Sequence, residues 1–325
     1  MTNRVAQILN VEKPIIQGPL LWLTDAKLVA AVSNAGGLGV LGFNAGQTTV
    51  TRSLDETIDR MRNEIHQVKA LTDKPFGLNV GLQSGDKDPF FGPTLQLMID
   101  EKVPVAVCAG ELVSDRIQQL KAAGIKVVFR PLTPTVEITK QAAAAGVDIF
   151  VATGFDEGGT VPTKVIGTLS VVPMIVDAAG EMPVMAAGGI VDGRTAKAVF
   201  ALGAEGLYVG TAFMMSKESR MAQNIKEAAL TADADDLVMY RTVPAYYRSL
   251  PGKLPDKLVS LDQVGASRQD IYKAASGYEG MRIGMLEGDL KHGYASFGLG
   301  ISQITKIEPV SVIMDRLNSG VPANN

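Results

Sequence analysis

Two glycine-rich segments contain the residues of this chain whose types and spacing point most directly to chemistry. They read Ala186-Ala187-Gly188-Gly189-Ile190 and Val209-Gly210-Thr211, and each begins in a short apolar run typical of a buried strand. Glycine lets a backbone approach a ligand closely, and exposed backbone N–H groups bind anions. The Thr211 hydroxyl is a further donor. Two such strand ends in succession predict a phosphate-binding site, although either alone would fit a tight turn equally well.

The elements that must position this site alternate between short strands and helices. Eight strands are predicted, at Pro14–Gln17, Leu38–Gly42, Phe76–Val80, Val105–Ala109, Lys126–Arg130, Ile149–Thr153, Val184–Ala187 and Leu207–Val209. Several of the predicted helices end at a glycine, namely Gly36, Gly124, Gly146 and Gly203. Eight strand and helix units predict a (β/α)8 TIM barrel over residues 1–225, with functional groups at the carboxyl ends of its strands. A doubly wound open sheet is the alternative, but no G-x-G-x-x-G follows the first strand.

The remaining residues, 226–325, are predicted to form a helical extension that packs back over the open end of the barrel. The segment Tyr240–Leu258 is rich in Pro, Gly, Tyr and Arg, and two helix-like stretches follow it. Tyr246, Tyr247 and Arg248 lie in this segment. They could form a lid over a bound ligand, although ordinary packing fits them as well.

The composition favours a globular α/β protein and excludes several other classes. The 325 residues are 46% hydrophobic with a net charge of -3, and no run of Lys and Arg is long enough to follow a nucleic-acid backbone. The single cysteine, Cys108, excludes an intrachain disulfide, and no Cys/His cluster offers a metal site. No apolar run has the roughly 20 residues of a membrane span. We therefore predict a cytoplasmic protein that binds neither nucleic acid, membrane nor metal.

The two glycine motifs and four other segments together resemble the nitronate monooxygenase family, which includes the former 2-nitropropane dioxygenases, and the FMN-dependent enoyl-ACP reductases. The other segments are Pro14-Ile15-Ile16-Gln17-Gly18-Pro19-Leu20, Ser33-Asn34-Ala35-Gly36-Gly37-Leu38-Gly39, Lys74-Pro75-Phe76-Gly77-Leu78-Asn79 and Gly154-Phe155-Asp156-Glu157-Gly158-Gly159. Their order and spacing are more specific than any one of them alone. The resemblance covers most of the chain.

The resemblance implies an FMN site whose phosphate is bound by the residues Ala187, Gly188, Gly189, Val209, Gly210 and Thr211. It also implies that the loop Gly18, Pro19 and Leu20 lies along the flavin edge; because Pro19 has no N–H, Leu20 would be the donor near N5. Asn79 would contact the polar edge of the ring, and Arg130 would stand beside N1 and O2, where some members have a lysine. A loop cap and a surface salt bridge are the respective alternatives. Thr153 and Gly159 would complete the cofactor site.

The chain departs from the family at the loop after the sixth strand, which in the family ends in Gly-Gly-His. Thr160 stands where that histidine would act on the substrate, and Thr153 stands where a carboxylate or other polar group often faces the flavin. Threonine cannot act as a base near neutral pH but can donate one hydrogen bond, so Thr160 is a candidate catalytic residue of limited power.

Few other side chains could replace the missing histidine. His292, in the extension, is the second catalytic candidate, whereas His66 is predicted to face solvent from a charged helix. Asp156 and Glu157 could act as an acid and base pair, but in a glycine-rich loop they are predicted to cap a helix or face water.

The function that the resemblance implies is that of an FMN-dependent oxidoreductase acting on a small-molecule substrate. Hydride or electrons would pass through flavin N5 from NADH, NADPH or a nitronate to oxygen, a quinone or an activated alkene. The loss of the histidine favours NAD(P)H-dependent reduction over nitronate oxidation. Two alternatives stay open, namely an FMN-binding barrel with little turnover and a non-flavin phosphate-binding lyase or isomerase. A homodimer also stays open.

Overall fold

The computed structural model describes residues 3–85 and 88–323, which contain an eight-stranded parallel sheet and a three-stranded antiparallel sheet. The strands are β1 (Ile15–Gln17), β2 (Gly39–Leu41), β3 (Phe76–Leu82), β4 (Val105–Gly110), β5 (Lys126–Pro131), β6 (Ile149–Thr153), β7 (Gly159–Val161), β8 (Val184–Ala187), β9 (Gly206–Val209), β10 (Val238–Arg241) and β11 (Tyr246–Ser249). The parallel sheet has the order β1-β9-β8-β6-β5-β4-β3-β2, and a bridge between Ile16 and Leu38 joins its two ends. The predicted (β/α)8 barrel is therefore confirmed.

Helices surround the barrel and form most of the extension. They are α1 (Arg4–Leu9), α2 (Ala26–Asn34), α3 (Leu54–Leu71), α4 (Phe91–Asp100), α5 (Ser114–Ala122), α6 (Val136–Ala144), α7 (Thr168–Ala179), α8 (Gly193–Ala201), α9 (Thr211–Met214), α10 (Gln223–Leu230), α11 (Lys253–Gln263), α12 (Arg268–Ala274), α13 (Gly277–Glu287) and α14 (Val310–Asn318). Among the described residues, no helix combines the length and hydropathy that a bilayer crossing requires.

The ends of the helices follow from local sequence. Asp25 accepts a hydrogen bond from Leu28 N–H at the start of α2, and Thr135 accepts one from Ile138 N–H at the start of α6. Each oxygen satisfies one of the free N–H groups of a first helical turn. The four glycines predicted to end helices all have positive φ angles of 76° to 94°, at Gly36, Gly124, Gly146 and Gly203. This left-handed conformation disfavours any residue with a Cβ atom, so glycine fixes where these helices stop.

Apolar side chains fill the inside of the barrel. The buried interior cluster is rich in β-branched residues and contains Ile16, Leu38, Val40, Val105, Val107, Val128, Ile149, Val151, Met185 and Ala187. Val5 and Leu9 of α1 pack against the same cluster, and Asn3 at the start of α1 donates to the carbonyl of Glu205, just before β9. Helix α1 therefore closes the amino-terminal end of the barrel, which leaves the carboxyl ends of the strands as the place for a ligand.

The extension contains the predicted helices and, in addition, two strands that were not predicted. β11 pairs antiparallel with β10 on one side and with β7, from the loop after β6, on the other. The Pro and Gly content of Tyr240–Leu258 concealed these strands in the sequence, since each is only four residues long. Their pairing ties the extension to the barrel. The predicted boundary at 225/226 falls inside α10, and the division into two domains stays a prediction.

Candidate functional site

Four polar side chains lie on barrel strands. Arg130, Thr153 and Tyr208 are at or next to the last residues of β5, β6 and β9, whereas Asn79 lies in the middle of β3, which continues to Leu82 instead of ending at Val80 as predicted. Because side chains alternate along a strand, Arg130 and Thr153, each two residues beyond an interior valine, also point into the barrel. Tyr208 packs against the interior cluster, and Asn79 Nδ2 donates to the carbonyl of Val107 at 2.9 Å. The sequence singled out three of these residues. It missed Tyr208, whose place inside the barrel depends on the strand register.

Small residues occupy neighbouring positions at this end of the barrel, namely Gly18, Gly81 and Ala109. A Cβ atom on Gly18 would come within 2.7 Å of the Tyr208 ring, and one on Gly81 would come within 3.1 Å of the Phe43 ring. Glycine is therefore required at position 18 for Tyr208 to lie where it does. The Tyr208 and Phe43 rings therefore pack directly against the backbone at these two glycines.

Arg130 forms a buried ion pair with Glu157, in the loop after β6. Arg130 Nη2 lies 2.5 Å from Glu157 Oε2, and the two side chains are only 17% and 13% exposed. Burial raises the pKa of Glu157 to about 7, although the charge and the hydrogen bond of Arg130 act in the opposite direction. Glu157 Oε1 has no hydrogen-bond partner among the described residues. The prediction that Glu157 caps a helix or faces water is wrong, because strand register turns Arg130 inward and provides a buried partner for the carboxylate.

The two glycine motifs lie side by side at the ends of β8 and β9, which pair with each other. Gly188 and Gly189 have φ angles of 104° and 70°, and a Cβ on Gly188 would lie 2.8 Å from Thr168 Oγ1. The N–H groups of Gly188, Gly189 and Gly210 donate to no backbone carbonyl within the described part of the chain. Thr211 Oγ1 accepts from the N–H of Gly298, which leaves its own proton free to donate. We call these four residues the glycine cradle.

The loop after β1 lies beside the glycine cradle. Gly18 N–H donates to the carbonyl of Val209 at 2.9 Å, and a Cβ on Gly210 would lie 3.7 Å from the Leu20 side chain. The carbonyl of Leu20 accepts from the N–H groups of the following turn, whereas its own N–H donates to no backbone carbonyl among residues 3–85 and 88–323. The structure thus brings Gly18, Pro19 and Leu20 next to the cradle with one donor unused.

Two residues from other elements hold the loop after β6. Asp156 accepts from the N–H of Thr168 at 2.5 Å, so it caps α7, as predicted. Arg248 of β11, 5% exposed, donates to the carbonyl of Phe155 at 3.0 Å and also to that of Glu157. Its guanidinium lies 5.3 Å from the centre of the Phe155 ring. A side chain of the extension therefore fixes the loop that carries Glu157 and Gly159.

Thr160 lies in β7 opposite Tyr247 of β11. Burial raises the pKa of Tyr247 and of Tyr278, and hydrogen bonding to Thr160 opposes that rise in both phenols. At the position where the resemblance led us to expect a histidine, this chain therefore has a hydroxyl group between two phenols. No group at Thr160 itself can take up a proton near neutral pH.

Five tyrosines of the extension pack beside Thr160 and line a cavity of about 10 Å³, namely Tyr240, Tyr247, Tyr272, Tyr278 and Tyr294. The rings of Tyr247 and Tyr294 meet edge to face with centres 5.2 Å apart. The Tyr240 hydroxyl has no hydrogen-bond partner among the described residues. The cavity is about the size of one water molecule.

Helix α13 reaches the loops on the opposite side of the barrel. Trp22 Nε1 in the loop after β1 donates to the carbonyl of Tyr278 at 3.1 Å, and Arg282 Nη1 donates to the carbonyl of Thr48 in the loop after β2. Tyr278 therefore connects the loop after β1 with Thr160 beyond β6. Helix α13 of the extension thus contacts the loops after β1 and β2.

The remaining candidates lie away from this cluster. The His292 side chain is 63% exposed, and its Nδ1 lies 2.6 Å from Asp289 Oδ2, so the structure does not bring it to Thr160. His66 on α3 is 56% exposed and meets Glu101, in agreement with its predicted solvent-facing position. Cys108 is buried, and burial raises the pKa of its thiol, which agrees with a structural role.

Fold and site together define a (β/α)8 barrel whose strand ends carry the glycine cradle and the buried ion pair of Arg130 and Glu157. The sequence profile of the nitronate monooxygenase family matches residues 2–320, and the chain belongs to that family. It is therefore a flavin-dependent oxidoreductase.

Individual relatives agree with this assignment. The chain is 35% identical over 270 residues to a nitronate monooxygenase of Pseudomonas aeruginosa, covering 70% of this chain and 73% of that protein. It is 34% identical over 259 residues to the (3aS,4S,5R,7aS)-5-hydroxy-7a-methyl-1-oxo-octahydro-1H-indene-4-carboxyl-CoA dehydrogenase of Mycobacterium tuberculosis, covering 79% and 68%. The structure of FabK from Thermotoga maritima superimposes with a TM-score of 0.85 at 30% identity, covering 98% of this chain and 96% of that one.

Proposed function

We propose that the chain binds FMN at the carboxyl end of its barrel, takes hydride from NADH or NADPH, and passes it to a small electrophilic acceptor such as a quinone or an activated alkene. The observation that carries the proposal is that the glycine cradle, whose N–H groups donate to no backbone carbonyl among the described residues, lies at the same end of the barrel as the buried Arg130. The N–H donors suit a phosphate group, and the arginine suits a flavin ring, which gains negative charge on reduction.

The residues present fit the phosphate of FMN. The unused N–H groups of Gly188, Gly189 and Gly210 and the free proton of Thr211 are donors suited to phosphate oxygens. Gly188 has no room for a side chain, which explains why glycine is needed there. Ala187 and Val209 are the last residues of β8 and β9, and they would position the cradle residues that follow them.

The residues also fit the flavin ring. Thr153 is 1% exposed, and its hydroxyl has no partner among the described residues, as expected for a group that binds a ligand. Asn79 and Arg130 would bind the polar edge, and the unused N–H of Leu20 would face N5. Gly159, with a φ of 78° and open space where a Cβ would stand, would let the loop after β6 approach the ring.

FMN, when bound, supplies two-electron hydride transfer. The positive charge of Arg130 would stabilise the negative charge that reduction brings to the site. Thr160 donates a hydrogen bond but cannot abstract a proton, which favours NAD(P)H oxidation over a nitronate route that needs a base. Because one relative is named for a carboxyl-CoA dehydrogenase, thioesters of unsaturated acids belong among the acceptors to be tested.

The purified protein provides the test. We expect a yellow protein with flavin absorbance that bleaches when it is mixed anaerobically with NADH or NADPH, and regains colour on addition of a quinone or an activated alkene. A colourless protein that binds phosphate would indicate the lyase or isomerase alternative. A yellow protein that neither nucleotide bleaches would indicate an FMN-binding barrel with little turnover, and bleaching by a nitronate alone would favour nitronate oxidation despite Thr160.

We also propose that the protein is cytoplasmic and forms a homodimer. Size-exclusion chromatography with light scattering measures the oligomeric state directly, and cell fractionation measures the location. A single species with the mass of one chain, 34.4 kDa, would contradict the homodimer.

A further inference from the structure

The carboxyl group of Glu157 is buried at the barrel end with half of its hydrogen-bonding capacity unused. Oε2 accepts from Arg130 Nη2, whereas Oε1 has no partner among the described residues. Burying a carboxylate oxygen without a donor is costly, and such groups in folded proteins often have a ligand or a reaction as their explanation. Oε1 of Glu157 is therefore available to a ligand or a substrate.

Charged and titratable groups approach Glu157 from three strands. Arg130 comes from β5, Tyr208 from β9 and Arg248 from β11, and Asp156 precedes it in the loop. Asp156 is occupied with the N–H of Thr168 at the start of α7. Burial favours the protonated acid and the two guanidinium groups favour the carboxylate, which is why the pKa of Glu157 lies near 7 and both forms exist at neutral pH. A group with this property can donate a proton and then hold the resulting charge.

We propose that Glu157 is the proton donor for reduction of the acceptor, in place of the histidine position that Thr160 occupies. This inference rests on the proposed function and names the acid of the same site. When a hydride drawn from NAD(P)H adds to one carbon of an activated alkene, the neighbouring carbon takes the proton from Glu157. The carbon–carbon π bond breaks and two C–H bonds form. The carboxylate that remains is stabilised by Arg130, and a proton from solvent restores the acid.

The neighbouring hydroxyl groups are weaker proton donors than Glu157. Burial raises the pKa of Tyr208 and of Tyr247, so both phenols are weaker acids than a free tyrosine. Thr160 has no acidic proton near neutral pH. Arg130 holds Glu157 Oε2 and is a positioning residue, because it keeps its own proton throughout.

The first test needs neither cofactor nor activity. Infrared spectroscopy of the apoprotein across pH follows the C=O band of protonated carboxyl groups. We expect one band that disappears only near pH 7, that is absent in Glu157→Gln, and that persists to higher pH in Arg130→Met because a cation has been removed. Glu101→Gln is the matched control, since Glu101 is also shielded, 11% exposed, and binds Arg62 at 2.8 Å, but hydrogen bonds from Lys69 and Arg62 lower its pKa to about 2. A spectrum of Glu157→Gln identical to that of the wild type would overturn the proposal.

The second test separates proton transfer from electron transfer in the FMN-loaded enzyme. Ferricyanide accepts electrons without a proton, whereas 2-cyclohexen-1-one and a crotonyl thioester require one. We expect Glu157→Gln to lower alkene turnover by about 10²–10⁴-fold, the usual contribution of a general acid, and to leave ferricyanide turnover unchanged. If Glu157→Gln does not fold, Glu157→Asp serves in its place, because it keeps a negative charge beside Arg130 but withdraws the acid by one methylene group; we expect it to lower alkene turnover and to leave ferricyanide turnover unchanged.

The outcomes distinguish the two proposals. A wild-type protein that NAD(P)H does not reduce overturns the proposed function. A wild-type protein that reduces ferricyanide but neither alkene, or a Glu157→Gln variant with unchanged alkene turnover, overturns the role of Glu157 while the flavin function stands. Parallel loss of alkene and ferricyanide turnover in Glu157→Gln would also overturn it, because that result indicates a damaged cofactor site.

Discussion

Substitution of Arg248 by methionine should loosen the loop after β6 and weaken cofactor binding, although Arg248 belongs to the extension. The guanidinium donates to the carbonyls of Phe155 and Glu157 and lies over the Phe155 ring. Methionine keeps most of the buried stem but none of the donors. Both carbonyls would then be left without these donors in a buried environment, and the loop would gain freedom to move.

The magnitude follows from these contacts. Each hydrogen bond from a charged donor contributes about 1.5–3 kcal/mol, and the contact with the ring adds about 0.5–1 kcal/mol. Relief from burying the Arg248 charge offsets part of this loss, because burial also lowers its pKa. We therefore expect the free energy of unfolding to fall by about 2–4 kcal/mol.

Arg241→Met on the adjacent strand β10 is the matched control. Arg241 binds Asp262, but its side chain is 42% exposed, so the same substitution should cost less than about 1 kcal/mol. Urea unfolding of both apoproteins measures the stabilities, and fluorescence quenching of added FMN measures its dissociation constant. Equal destabilisation by the two substitutions, or unchanged FMN affinity in Arg248→Met, would refute the reasoning that β11 holds the cofactor loop.

The remaining predictions concern the cradle, the ring site and pH. Gly188→Ala should lower FMN affinity by more than about tenfold, whereas Gly124→Ala, also at positive φ but with open space around its Cβ, should cost only about 1 kcal/mol of stability and leave titrated FMN binding unchanged. Thr153→Val should weaken FMN binding without destabilising the apoprotein, as denaturation and FMN titration would show, because it removes an unpartnered buried hydroxyl. His292→Ala should leave the rate of flavin reduction unchanged in stopped-flow mixing. Since the pKa of Glu157 rises from 4.5 to about 7 on folding, its stabilising contribution is complete below about pH 4.5 and is lost as pH rises through about 7. The resulting decline of about 3 kcal/mol in unfolding free energy should be absent in Glu157→Gln.

Local patterns in the sequence were sufficient to predict the barrel. Each barrel strand is a short apolar run. Helices α2 and α6 begin at a side-chain cap, and four helices end at a glycine of positive φ, so neighbours in sequence determine these elements. The glycine cradle could be predicted for the same reason, because Gly188 and Gly210 end consecutive barrel strands. The short strands β10 and β11 could not, because β10 pairs with β11, and β11 pairs with β7 more than eighty residues earlier in the chain.

Contacts between distant residues explain why the pairing of Arg130 with Glu157 escaped prediction. Arg130 and Glu157 are 27 residues apart, and nothing near either residue indicates the other. A glycine-rich loop ordinarily exposes its charged residues, so the burial of Glu157 depends on Arg130 pointing inward and on Arg248 holding the loop. Only the strand register and the fold of the extension supply these two conditions.

The departures of this chain from its family have one physical consequence. A histidine at position 160 would be a base beside the substrate, but the threonine found there lies between the phenols of Tyr247 and Tyr278, whose pKa values burial raises. That part of the site can orient a polar group but cannot exchange protons with it at neutral pH. Glu157 can, since burial brings its pKa to about 7 and Arg130 stabilises its charged form. Proton transfer would then occur on the loop after β6, beside the buried cation, so reactions that consume a proton after hydride addition suit this site better than reactions that begin with proton abstraction.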